Sequence, residues 1–128
     1  MAQSREEIEH NQESLNQFKM DWFSLAGKVA IISGGNTGLG QGYAVAMAEA
    51  GADIFIPTFG KEGWDDTRAL IEKRGRKVEF MQADLTEDGI AEKVVAKAMD
   101  VFGHIDILVN NAGMIKRNPI LESKDKDW

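Results

Sequence analysis

The chain has 128 residues, 43% of them apolar, enough for one domain with its own core, and it carries a formal net charge of −6 and no cysteine. Lack of cysteine excludes disulfides and thiolate catalysis and fits a reducing compartment, by default the cytoplasm. The acidic balance argues against a nucleic-acid partner, whose phosphates are held mainly by clustered Lys and Arg. The acidic, polar N-terminus and the want of any apolar stretch near the roughly 20 residues of a bilayer span predict neither signal peptide nor membrane anchor.

Ala2 to Trp22 are rich in Glu, Gln and Asn, yet Ile8, Leu15, Phe18 and Trp22 fall at spacings of 7, 3 and 4, one stripe of a helix. Residues 1–22 therefore read as an amphipathic arm, either a subunit contact or flap, or a helix docked on its own domain or partly frayed. Phe23 to Gly27 lead into a first strand, where Val29 to Ile32 form the continuous apolar run of a strand covered on both faces. The turn Ser33-Gly34-Gly35-Asn36-Thr37-Gly38-Leu39-Gly40 follows, ahead of a helical pattern beginning near Gln41. Its glycines allow a sharp turn and close approach of a ligand, while the helix start offers unpaired N–H groups and a positive dipole end to a pyrophosphate. Glycines also mark turns that hold no ligand. The spacing is neither G-x-G-x-x-G nor a triphosphate loop ending in Gly-Lys-Ser/Thr; it is [Ser/Thr]-G-x-x-x-G-x-G.

Ala44, Val45, Met47 and Ala48 continue the helix, and Gly51 suits its C′ position. A second strand, Asp53 to Thr58, holds Pro57 near its end, tolerable only where no ladder donor is needed. A ribose-reading position lies about 20 residues beyond a glycine turn of this kind, and counting from Gly38 reaches Thr58. The lack of an acid there leaves the choice between NAD and NADP open, and the lack of an adjacent Arg, with Lys61 the nearest cation, leans it to NAD. A helix over Trp64 to Arg74 leads through Gly75 into a strand over Lys77 to Gln82. The next helix runs from about Glu87 to Phe102, with Ile90, Val94, Ala98 and Val101 as its core stripe, and Asp84 and Thr86 are both able to cap its start. Ile105 to Val109 make the fourth strand, and Asn110 to Gly113 sit at its C-terminal end, the edge where open parallel sheets bind ligands. His104 precedes that strand, away from this edge, and reads as a surface histidine. Beyond the turn, Lys116 and Arg117 place two cations where a substrate would enter, and a guanidinium suits a carboxylate; an acidic sugar is the expected guest, against the alternative of solvated loop charges. Glu122 to Trp128 read as the start of a further helix.

The glycine pattern, taken with Asn110-Asn111-Ala112-Gly113, resembles the short-chain dehydrogenase/reductase family, whose N-terminal half carries both signatures in this order. The resemblance implies an α/β fold: a Rossmann-like doubly wound parallel sheet, of which residues 23–128 would be the N-terminal half in strand order 3-2-1-4, preceded by the helical arm. It implies NAD or NADP as cofactor, held by Gly34, Asn36, Thr37, Gly38, Leu39 and Gly40, with Thr58 at the ribose. Asp84 and Leu85 would contact the adenine ring, and Asn110, Ala112 and Gly113 would line the adenosine and ribose side. Phe23-Ser24-Leu25, Thr37 to Gly42, Phe102 to Asn110, and Lys116-Arg117 further look like the branch comprising 2-dehydro-3-deoxy-D-gluconate 5-dehydrogenases and gluconate 5-dehydrogenases.

Family chemistry is hydride transfer at the nicotinamide, with a Tyr as acid/base, a Lys four residues later, and a Ser on the substrate oxygen. Here the single tyrosine, Tyr43, is followed four residues on by Met47, so no catalytic residue and no metal ligand is assigned. The 128 residues alone are expected to be inactive, with the fourth strand exposed as a sheet edge and prone to self-association. Whole family members are commonly tetramers, which makes a homo-oligomer the expected assembly. A cofactor-binding piece without turnover, or an assembly module, stands as the alternative.

Overall fold

The computed structural model describes residues 2–114, 120–122 and 124. Its elements are α1 (Arg5–Asn16), β1 (Val29–Ile32), α2 (Gly38–Glu49), β2 (Asp53–Thr58), α3 (Trp64–Glu72), β3 (Val78–Gln82), α4 (Ile90–Phe102) and β4 (Ile107–Val109), with short 3-10 turns at Met20–Phe23 and Ile120–Glu122. The strands form a four-stranded, all-parallel sheet in the order β3-β2-β1-β4. That is the order expected from the resemblance.

The alternation of strand residues separates two cores. Ala30, Ile32, Ile54, Ile56, Val78 and Phe80 face Ala44 and Ala48 of α2 and Ile71 of α3. Ile31 and Phe55 point the other way, onto Ile90, Val94 and Ala98 of α4. Both sheet faces are therefore covered, which is why β1 can be apolar at every position. The buried positions of α2, Gly40, Ala44 and Ala48, are all small and four residues apart, so the helix axis lies close against the sheet. Gly51 follows the C-cap Ala50, as expected for C′, with its N–H on the Ala48 carbonyl.

Pro57 sits in β2, a strand flanked on both sides, and the ladder explains how it is tolerated. Pairing of β2 with β1 ends at Ile31 and Phe55, and the Pro57 carbonyl accepts from Gly34 N–H at 3.0 Å. The proline nitrogen faces that same side, past the last paired residue of β1, where the chain is already turning away and no donor is called for.

The arm departs from the expected single stripe. Its helix is well started, since Ser4 and Glu7 form a capping box, but it stops at Asn16, and Lys19 is extended. Phe18 and Trp22 consequently lie outside it, gathered edge-to-face at 5.2 Å with Phe23 also against Phe18. No residue of α1 is buried, so the helix does not dock on the sheet. Contacts among the three rings replace the continuation of the helix, a competition that periodicity alone does not register.

Boundaries elsewhere shift by a few residues. The helix expected from Gln41 starts at Gly38, inside the glycine turn. The one expected from Glu87 starts at Ile90, with Gly89 as N-cap. Asp84 and Thr86 therefore do not cap it.

Candidate functional site

The site is built where β1, β2 and β4 end. Ser33 closes β1 and is buried. Its hydroxyl accepts from the backbone N–H groups of Asn111 and Ala112, both at 3.0 Å, and lies 3.4 Å from the Val109 carbonyl as donor. The Asn111 side-chain amide in turn donates to the carbonyls of Ser33 (3.1 Å) and Gly34 (3.3 Å). One serine and one asparagine thus stitch the end of β4 to the glycine turn, joining segments nearly eighty residues apart in the chain. Neither Ser33 nor Asn111 is among the cofactor residues read from the sequence. The signals were there, in the [Ser/Thr] heading the glycine pattern and the doubling of asparagine, but each reads as ordinary turn chemistry until the strands are paired.

The glycine turn is shaped by close approach and by backbone angle. Gly34 and Gly38 hold φ of +65° and +56°, values that side-chain-bearing residues rarely adopt. A methyl group at Gly40 would overlap the Gly34 carbonyl oxygen and the Asn111 amide nitrogen. Around Gly38, by contrast, a Cβ would meet nothing within 4 Å, and Leu39 beside it is exposed. Thr37 is the N-cap of α2 but makes no side-chain cap bond. The first-turn N–H groups of α2 are therefore left for an outside acceptor, at the positive end of a helix dipole and beside open space. This donor set and space fit a pyrophosphate.

The other expected contacts fall around this turn in different states. Asn36 is buried, and its amide donates to the Glu62 carbonyl at 2.9 Å, so its side chain ties loops together. Thr58 is buried at the end of β2, its hydroxyl donating to the Gly60 carbonyl and accepting from Trp64 Nε1. That commitment uses its donor and one of its two lone pairs, and Phe59, next in the chain, stands 76% exposed. Asp84 Oδ1 accepts from the Thr86 hydroxyl (2.6 Å) and backbone N–H (2.9 Å). Those two bonds, the hydroxyl first, hold its carboxyl below the ordinary range and so ionised; among the described residues nothing engages Oδ2. Leu85, Asn110, Ala112 and Gly113 are exposed, and of these Ala112 packs close to Gly34. Lys116 and Arg117 lie outside the described residues. Among the described residues no cluster of His, Cys, Asp or Glu could hold a metal, and no helix is long and apolar enough to cross a membrane.

At the opposite end of the sheet, Asp106 Oδ2 accepts from Val29 N–H at 2.8 Å and lies 2.7 Å from His104 Nδ1. Val29 opens β1, which places His104 away from the site, as expected. The Val29 bond, with smaller help from His104 and Lys28 and against partial desolvation, holds the Asp106 carboxyl below its ordinary range. A depressed native pKa stabilises the fold above the unfolded value of about 3.9, and that contribution is lost as pH falls through the native pKa. Urea unfolding of Asp106→Asn should therefore show a lower midpoint than the unaltered chain at pH 7, with the difference closing below about pH 4. A difference that persists undiminished at pH 2 would count against the carboxylate as its source.

A doubly wound parallel sheet, with a glycine turn opening a helix at its carboxyl edge, is the half-fold of a Rossmann-like nucleotide-binding protein. Residues 28–128 match the family model for short chain dehydrogenases, and the chain belongs to that family. It is 53% identical over 116 residues to the uncharacterized oxidoreductase YgcW of Escherichia coli, an alignment covering 91% of this chain and 44% of that protein. It is 46% identical over 112 residues to the 2-dehydro-3-deoxy-D-gluconate 5-dehydrogenase of Escherichia coli, covering 83% and 41%. Carveol dehydrogenase from Mycobacterium avium, solved in complex with NAD, superposes with a TM-score of 0.73 at 27% identity, covering 81% of this chain and 42% of that one. The chain thus spans less than half the length of these relatives.

Proposed function

We propose that the chain is the cofactor-binding half of an NAD(P)-dependent oxidoreductase that interconverts a hydroxyl and a ketone of a sugar acid. The observation that carries this reading is the uncapped start of α2, opening at the glycine turn and bound through Ser33 to the Asn111–Ala112 turn. The nicotinamide, when bound, supplies or accepts the hydride. The chain's own part is to hold the pyrophosphate on the first-turn N–H groups of α2, and to offer Asp84 Oδ2 as acceptor to the exocyclic amine of adenine. NAD is favoured over NADP because no Arg adjoins Thr58 in the sequence, and Lys61 lies over the Trp64 ring, its Nζ 5.6 Å from the centroid.

Identity to a sugar-acid dehydrogenase supports the substrate class, as does the Lys116-Arg117 pair that follows the Asn111–Ala112 turn in sequence. These 128 residues offer no Tyr with a Lys four positions on. Proton transfer and substrate-oxygen contacts therefore fall to residues outside them, and a homo-oligomeric subunit of relative-like length is the proposed working form. Oxidation of NADH by a keto sugar acid in that intact protein tests the reading: turnover is expected, and NADH binding without turnover of any sugar acid would reduce it to a non-catalytic nucleotide-binding protein. Arg117→Ala in the intact protein should raise KM for the sugar acid by about tenfold or more, the worth of one charge-assisted pair, with a smaller change in kcat. An unchanged KM would remove Arg117 from the substrate site.

A further inference from the structure

Thr67 is fully buried in α3, a polar side chain in a position that an apolar one could fill. Its hydroxyl donates to the Asn36 carbonyl at 3.0 Å and accepts from Gln41 Nε2 at 2.8 Å. Asn36 belongs to the glycine turn and Gln41 to the first turns of α2. From the other direction, the Asn36 side-chain amide donates to the Glu62 carbonyl, and Gly63 passes so close that a methyl group on it would overlap the Asn36 carbonyl oxygen. The glycine turn is thus held to the loop between β2 and α3 by the Asn36–Glu62 hydrogen bond and the close approach of Gly63, while Thr67 ties the start of α3 to the same turn and to Gln41 of α2.

We propose that Thr67 is a positioning residue for the dinucleotide: its hydroxyl ties the first turns of α3, and with them the loop after β2 that leads into α3, to the glycine turn and α2, so the adenosine and pyrophosphate halves of the site form one preorganised body. This rests on the dinucleotide reading above. A ligand that spans both halves benefits from the lock, because neither loop has to be ordered when it binds. One that touches only the adenosine half gains little. Thr67 itself touches no ligand atom in this arrangement, since its side chain is enclosed between the two segments.

The test is the split between ligands in the intact protein, measured at a temperature well below unfolding of every variant used. T67V keeps the shape of the side chain and removes both hydrogen bonds; T67S keeps the hydroxyl. NADH and ADP, which span the two halves, should bind T67V about tenfold more weakly, while adenosine, titrated by NMR, should change less than about twofold. T67S should restore NADH affinity to within about threefold. A purely structural role would lower the unfolding midpoint of T67V yet leave the affinities of the folded protein unchanged, and that result would overturn the proposal; so would an equal weakening of NADH and adenosine. If T67V does not fold, Q41L, which breaks the bond to Thr67 from the half-exposed side, is read for the same split, with the same outcomes for and against. Failure of the unaltered protein to bind NADH at all would instead strike down the dinucleotide reading, and this proposal with it.

Discussion

Gly40→Ala should be the most damaging single substitution in the described chain. The added methyl group would overlap the Gly34 carbonyl oxygen and the Asn111 side-chain amide, and the first of these is backbone, which cannot swing aside. Relief requires α2 to lift from the sheet or the glycine turn to open. Lifting α2 would loosen Ala44 and Ala48 from the core they share with Ile32 and Ile54. We expect a loss at the upper end of the about 1–3 kcal/mol typical of overpacking, a fall on the order of 10 °C in the unfolding midpoint. Binding of NADH by the intact protein should fall by at least about a hundredfold, because the uncapped N–H groups that would hold the pyrophosphate move with the helix start. Thermal unfolding and calorimetric titration check the two parts separately. A folded variant that binds NADH like its parent would mean that the turn does not hold the cofactor.

Ser33→Ala should come next. Its hydroxyl accepts two backbone N–H groups, from Asn111 and Ala112, and in the alanine variant these part-buried donors lose their acceptor. At about 1–3 kcal/mol for each unsatisfied donor, discounted because Asn111 is only half-buried and Ala112 is exposed, the loss should be about 1–2 kcal/mol. β4 pairs only with β1 among the described residues, and the variant should loosen it first. Amide exchange should accelerate at Asn111 and Ala112 before it does in β2 or β3. Ser33→Thr keeps the oxygen and should retain most of the stability. Equal exchange at both ends of the sheet would show that the serine is not the fastening point.

The course of the chain was legible because each element is marked locally. The apolar run Val29 to Ile32, the glycine turn, the stripe Ile90, Val94, Ala98 and Val101, of which only Val101 proves exposed, and the run at Ile105 to Val109 each announce a period or a break that depends only on near neighbours. The sheet order came from the family resemblance, and the register pairing Ala30 with Ile54 and with Ile107 came only with the coordinates. The arm shows the limit of local marking. Ile8, Leu15, Phe18 and Trp22 keep helical spacing, but spacing cannot weigh a helix against three rings that collect beyond its end.

The candidate site divides in the same way. That a strand, a glycine turn and a helix should offer N–H groups to a phosphate follows from residue types in succession, and so was readable from Ser33 to Gly40 without coordinates. Which side chains hold that turn in place was not, because their partners are remote: Asn111 for Ser33, Glu62 and Thr67 for Asn36, Trp64 for Thr58. Thr58 is the instructive case, a hydroxyl at the counted ribose position whose proton goes to a loop carbonyl and one of whose two lone pairs goes to an indole. Composition and pattern settle what a segment can form, since propensity and period are short-range properties. Only packing settles which polar groups remain available, because a hydrogen bond made to a distant segment is one no longer open to a ligand.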